Sequence, residues 1–151
     1  MDSFVRADSG PAAIVAAVLV RDGRVLLCLR SPQRRWSPCL WDLPGGHVER
    51  GESDPIALAR ELGEELGVTV APAAIAATRP EVRIIDHEVD MRVWVVRDWS
   101  GDAVNAAPDE HDAVGWFEPA QLEHLSLAHP EYRGLLRRVG RGSQPSAAAG
   151  T

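Results

Sequence analysis

Lysine is absent: all sixteen basic residues are arginine. That excludes Schiff-base chemistry and a phosphate-binding loop of the usual lysine-containing kind. Cysteine is scarce, with only Cys28 and Cys39, and they form no C-x-x-C pair. Two such residues make no disulfide framework, so a reducing, cytoplasmic location is expected. Cys28 sits in an apolar run and reads as core, whereas Cys39 lies in a loop. The five histidines are scattered, and no Cys/His set has zinc-ligand spacing. The longest apolar run, residues 12–20, is too short to span a bilayer. Asp2 and Asp8 spoil a positive leader, and Arg21-Asp22-Gly23 is no small-residue cleavage site. A membrane partner is therefore not expected. Positive charge is also in deficit: the net charge of −6 argues against a nucleic-acid polymer as partner.

What is present describes one globular domain. The 151 residues are 45% hydrophobic and 25% charged, enough to bury a core without staples. Two apolar runs, 13–20 and 25–29, flank Asp22-Gly23, a strong hairpin signal because glycine supplies the positive φ of the turn. Residues 31–40 hold two prolines and break the pattern, and Trp41-Asp42-Leu43 reads as a short extended piece. Strands are expected over Val82–Ile85, Val89–Val96 and 114–117, a helical turn over 119–123, and a last helix over 130–139. Residues 1–11 read as an N-terminal extension, 12–139 as the domain and 140–151 as a disordered tail. The expected class is α+β, a mixed sheet flanked by helices in a single domain.

Between the two pairs of strands the spacing predicts a helix over Asp54–Leu66. Ser53 is its N-cap, Pro55 lies in its first turn and Gly67 follows its end. Seven acids crowd into residues 42–65, three of them in this helix's last turns. Leu58, Leu62, Leu66 and Ala59 share an arc of roughly 100°, a normal core stripe. Glu61, Glu64 and Glu65 fill the adjoining arc, with Glu65 only about 20° from Leu58. Like charges at i, i+3 and i+4 repel, a glutamate beside a buried stripe is costly, and Gly63 weakens the helix further. Arg60, on another side, is not expected to neutralise all three. A helix that breaks this many local rules is a candidate site, and a divalent cation would resolve the conflict. Carboxylates and a backbone carbonyl are hard ligands suited to Mg²⁺ or Mn²⁺. His47, beside the glycines, reads as structural or solvated.

The run from Gly46 through Glu52, Arg60-Glu61-Leu62, Glu64-Glu65 and Gly67-Val68 resembles the Nudix box at every defined position. The likeness covers roughly 12–139, including Trp41-Asp42-Leu43-Pro44-Gly45-Gly46 and Trp116-Phe117, and is nearest to MutT-like members. It implies an α/β/α sandwich around a mixed sheet. It also implies a hydrolase of nucleoside diphosphates linked to another moiety, with Mg²⁺ or Mn²⁺ as cofactor. By that resemblance Glu61, Glu64 and Glu65 with the Gly46 carbonyl bind metal, and Glu61 is a candidate to activate water. Arg60 pairs with Glu52 and holds Glu61. Glu110 stands where MutT-like members place a further catalytic glutamate, and Arg30 is a candidate phosphate contact.

The first expectation for activity is a nucleoside triphosphate pyrophosphohydrolase releasing monophosphate and pyrophosphate. A hydrolase of coenzyme A, another dinucleotide or a nucleotide sugar is the alternative. The coenzyme A signature is matched only in part, with Cys28, Cys39 and Leu43 replacing its threonine, glycine and phenylalanine. The proline of ADP-ribose hydrolases and the tyrosine of diadenosine polyphosphate hydrolases are both missing from residues 83–86. A non-catalytic nucleotide-sensing module is the alternative of another class. Many relatives are dimers, and the Trp-rich segments are compatible with a homodimer.

Overall fold

The computed structural model describes residues 10–142. The N-terminal extension up to residue 9 and the expected tail beyond 142 lie outside the described residues. The elements in chain order are β1 (Ala12–Arg21), β2 (Arg24–Arg30), β3 (Trp41–Asp42), β4 (Gly45–His47), α1 (Asp54–Leu66) and α2 (Pro72–Ala76). There follow β5 (Val82–Ile85), β6 (Val89–Val96), β7 (His111–Phe117), a 3-10 helix (Pro119–His124) and α3 (Tyr132–Gly142). The last helix thus runs three residues past its expected end, into the start of the expected tail.

The seven strands form one mixed sheet. β1 runs parallel to β6 from Ala12↔Val89 to Leu19↔Val96, and β5 adds antiparallel to the far edge of β6. β1 and β2 pair only beside their turn, at Val20↔Val25 and Arg21↔Arg24. That turn has positive φ at both Asp22 (55°) and Gly23 (74°), the primed geometry that matches strand twist. Beyond it the two strands diverge, and the segment 41–47 fills the fork. β3 pairs with β2 at Cys28↔Asp42, and β4 pairs with β1 at Val15↔Gly46. β7 covers the other edge of β2, with a register shift between Leu29 and Arg30.

Strand alternation divides the core into two layers. Val15, Ala17 and Leu19 of β1, Leu26 and Cys28 of β2, and Trp94 and Val96 of β6 face Leu58, Leu62 and Leu66 of α1. Ala16, Val18 and Val20, with Leu27, Met91 and Val93, face Tyr132, Leu135, Leu136 and Val139 of α3. This is the α/β/α sandwich that the resemblance implied. Each fully buried leucine contributes roughly 1.5–3 kcal/mol by transfer from water. Of the five tryptophans only Trp36 is mostly exposed, at 51%. Trp41 packs edge-on against Phe117, and Trp99 stacks on Trp116. The tryptophans therefore serve mainly the monomer's own packing. Among the described residues no helix is long and apolar enough to cross a membrane.

Candidate active site

Three local features place the acidic face of α1 against the fork of the sheet. The Ser53 hydroxyl accepts the Ile56 N–H at 3.4 Å, which starts the helix. Asp54 receives both sides of the Arg92 guanidinium of β6 at 2.8 and 2.9 Å, which ties that first turn to the sheet. Gly67, at φ 72°, ends the helix and donates its N–H to the Gly63 carbonyl. The loop after β6 then crosses the helix's last turn, with Val104 N–H on Leu66 O and Ala106 N–H on Glu65 O. It thereby delivers Glu110 and His111 to the same end of α1.

Glu65 is buried at 4% exposure, among leucines and against the sheet, as its position beside Leu58 on the wheel implied. Its Oε1 accepts the Gly45 N–H at 3.1 Å. Glu61 lies beside it, 13% exposed, close enough that each carboxyl group shifts the protonation of the other. A Cβ on Gly46 would stand 2.4 Å from Glu61 Oε2, so the missing side chain is the space this carboxylate occupies. Glu64 is 59% exposed at the rim. Burial is the main cause that pushes both Glu61 and Glu65 well above the usual carboxylate range. For Glu61 the neighbouring Glu65 charge adds to it.

Arg60 reaches further than its wheel position suggested. Its Nε and Nη2 grip Glu52 at 2.7 and 2.9 Å, Nη1 meets both Glu61 and Glu64 at 3.2 Å, and Nη2 donates to the His47 carbonyl. A long arginine side chain curls along the helix, so besides Glu52 one guanidinium serves two of the three glutamates on the helix face. Glu65 is the one it leaves out. Glu52 responds as a paired acid: the Arg60 hydrogen bonds and the Glu49 N–H hold it down to about 2.

The remaining expected site residues are Glu110 in the loop before β7, Arg30 at the end of β2 and His47 at the end of β4. Glu110 is 43% exposed and paired with Arg34 at 3.0 Å, and its charge reaches Glu65. Arg30 is only 12% exposed; it donates to the Trp36 carbonyl at 2.6 Å and meets Asp42 at 3.4 Å. The Trp36 carbonyl and Asp42 thus already engage it from within the chain. His47 is exposed, and its backbone carbonyl is what the site uses.

The NUDIX domain family matches residues 9–139, nearly the whole described fold. The chain is a Nudix hydrolase. It is 34% identical over 115 residues to the CTP pyrophosphohydrolase of Escherichia coli, covering 76% of this chain and 82% of that one. It is 32% identical over 122 residues to the nucleoside triphosphatase NudI of Salmonella typhimurium, covering 76% and 86%. Among solved structures, a MutT NUDIX hydrolase from Burkholderia pseudomallei superposes with a TM-score of 0.65 at 29% identity, covering 86% and 98%. This Nudix hydrolase therefore acts on phosphoric anhydride bonds of nucleotide substrates, as its family does.

Sequence spacing missed one cluster. Cys28 of β2, Glu65 of α1 and His111 of β7 are all buried, and one ligating atom from each lies within 4.8 Å of the others. No linear pattern announces it, because the three residues come from three elements far apart in the chain.

Proposed function

We propose that this Nudix hydrolase is a MutT-like nucleoside triphosphate pyrophosphohydrolase, using Mg²⁺ or Mn²⁺ and releasing a nucleoside monophosphate and pyrophosphate. The observation that carries the metal-dependent reading is the buried Glu61–Glu65 carboxyl pair, packed on the side-chain-free Gly46 and only half served by Arg60. Two buried carboxylates side by side repel unless a proton or a cation lies between them, and hard oxygen donors select Mg²⁺ or Mn²⁺. Glu61, Glu64 and Glu65 with the Gly46 carbonyl would hold that ion. When bound it supplies positive charge that neutralises the anhydride oxygens, so an acidic protein accepts an anionic substrate.

The chain's own groups do the rest. Arg60, locked by Glu52, fixes the Glu61 carboxylate against Gly46. Glu61 takes the proton of the water that attacks phosphorus in line, and the leaving phosphate carries away the bond electrons. Glu110, on the loop delivered to the same helix end, adds a carboxylate at the rim. Arg34 pairs with Glu110 at this rim, and Arg30, held by the Trp36 carbonyl and Asp42, would be the arginine that meets the substrate phosphates. The triphosphate reading draws on the names of the Escherichia coli and Salmonella relatives.

The carboxyl pair also sets a sign for stability. Its folded pKa values lie above the ordinary 4.5, so the metal-free protein binds more protons folded than unfolded. Its stability should fall as pH rises from 4.5 through the raised values. Added Mg²⁺ should recover that loss, more at pH 8 than at pH 6. Thermal melts with Mg²⁺ or chelator at both pH values check this, and a Mg²⁺ effect that shrinks with rising pH would contradict it.

A panel of nucleotides with Mg²⁺ present or chelated tests the reaction, with pyrophosphate and orthophosphate resolved. The expected result is chelator-sensitive conversion of one triphosphate to monophosphate and pyrophosphate. Turnover confined to coenzyme A, dinucleotides or nucleotide sugars would replace the substrate class. Tight binding without turnover would make the chain a sensor.

A further inference from the structure

We propose that Cys28, His111 and Glu65 form a second, buried metal site, selective for zinc-class ions rather than Mg²⁺. Three observations converge on it. The sulfur, nitrogen and oxygen donors lie within 4.8 Å of one another, close enough for small side-chain rotations to bring all three onto one ion. All three residues are buried: Cys28 is 0% exposed, His111 3% and Glu65 4%. Both ring nitrogens of His111 lack a hydrogen-bond partner, although Nε2 is only 3.4 Å from Glu65 Oε1. A buried imidazole with neither nitrogen satisfied costs free energy, and an ion at Nε2 removes part of that cost.

The fold makes the cluster from separate parts. Cys28 points from β2 toward α1 in the same core layer as Leu62 and Leu66. His111 opens β7 opposite Arg30, at the register shift that re-aims this end of the ladder. Its N–H on Ala107 O and its carbonyl, which accepts the Asn105 amide at 2.8 Å, pin the backbone there. Glu65 is anchored from the other side by the Gly45 N–H. A thiolate–imidazole–carboxylate set suits Zn²⁺, whereas Mg²⁺ avoids sulfur and nitrogen. Binding releases the Cys28 thiol proton to solvent and uses the lone pair of neutral His111.

Glu65 belongs to both donor sets. On the reading that Glu65 holds the catalytic ion, a zinc-class ion in the buried site competes for it, and occupation lowers turnover.

Cobalt(II) is the probe for the site itself, because thiolate ligation gives an intense near-ultraviolet charge-transfer band. The full chain in Mg²⁺ is titrated with Co²⁺ and then with Zn²⁺, alongside Cys28→Ser and Cys39→Ser. The site requires the band in wild type and Cys39→Ser, its loss in Cys28→Ser, and Zn²⁺ affinity at least about tenfold weaker in Cys28→Ser. No band in wild type, or a band that survives Cys28→Ser, overturns the proposal. If Cys28→Ser loses its cooperative melt, His111→Asn retains the thiol and must show the same weakening. Zn²⁺ should also inhibit nucleotide hydrolysis by wild type more strongly than by the variant. A wild-type band with hydrolysis undiminished upholds the buried site and overturns instead the catalytic role of Glu65, so the two failures are distinct.

Discussion

Glu65→Gln should fold normally and lose turnover by at least about 10²-fold, because it removes an anionic group from the proposed metal site while keeping the side chain's volume. The glutamine carbonyl still accepts the Gly45 N–H that Glu65 now accepts at 3.1 Å. Burial penalises the charged carboxylate, so the neutral amide relieves a cost in the metal-free protein. The variant should therefore melt no lower than wild type without metal and gain less from added Mg²⁺. The pair of readouts separates lost ligation from lost folding. Steady-state rates with the preferred nucleotide and melts with and without Mg²⁺ check both. A rate near wild type would remove Glu65 from the catalytic set.

Gly45→Ala should be the most destabilising single-methyl change in the site. Gly45 adopts φ +151°, and a Cβ there would stand 2.1 Å from the Val15 carbonyl oxygen and 2.6 Å from Ala16 Cα. Those are backbone atoms in the central strand, so the methyl cannot be accommodated by a rotamer change. Overpacking and backbone strain together cost about 3 kcal/mol or more. For a domain of this size that lowers Tm by on the order of 10 °C. It also pushes β4 away from β1, and with it the N–H that holds Glu65 and the Gly46 carbonyl. Gly134→Ala in α3 is the control: nothing lies within 4 Å of its Cβ, and helical alanine stabilises by up to about 1 kcal/mol. Thermal melts of the two variants should move in opposite directions, and an unshifted Gly45→Ala would show that β4 is not held as described.

The extent to which the chain announced its own fold differed between elements for physical reasons. Helix Asp54–Leu66 was legible to the residue, because Ser53, Pro55 and Gly67 are local signals that act on the backbone within one turn. The strands Val82–Ile85 and Val89–Val96 were equally plain, since alternation registers which face is buried. β4 was not legible: Gly45–His47 has no strand propensity and exists only because β1 accepts a backbone without side chains at that distance. The first residues of β7, His111 and Asp112, are polar; His111 is held in the sheet by pairing with Arg30 of β2, and Asp112 is the extra residue at the register shift. The five-residue α2 has too few turns for a periodic signal.

The candidate site divides the same way. Glu61, Glu64 and Glu65 could be named from linear spacing because all three lie on one helix, where a period of 3.6 converts sequence distance into direction. Which of them is buried, which rests on Gly46 and which two Arg60 reaches depended on the sheet behind the helix and on a flexible side chain. Cys28 and His111 were unremarkable as single residues, one an apolar-run cysteine and the other a scattered histidine. Only the divergence of β1 from β2 and the loop that crosses the end of α1 bring them to Glu65, since the proximity of three distant elements is a property of packing and leaves no periodic trace in the chain.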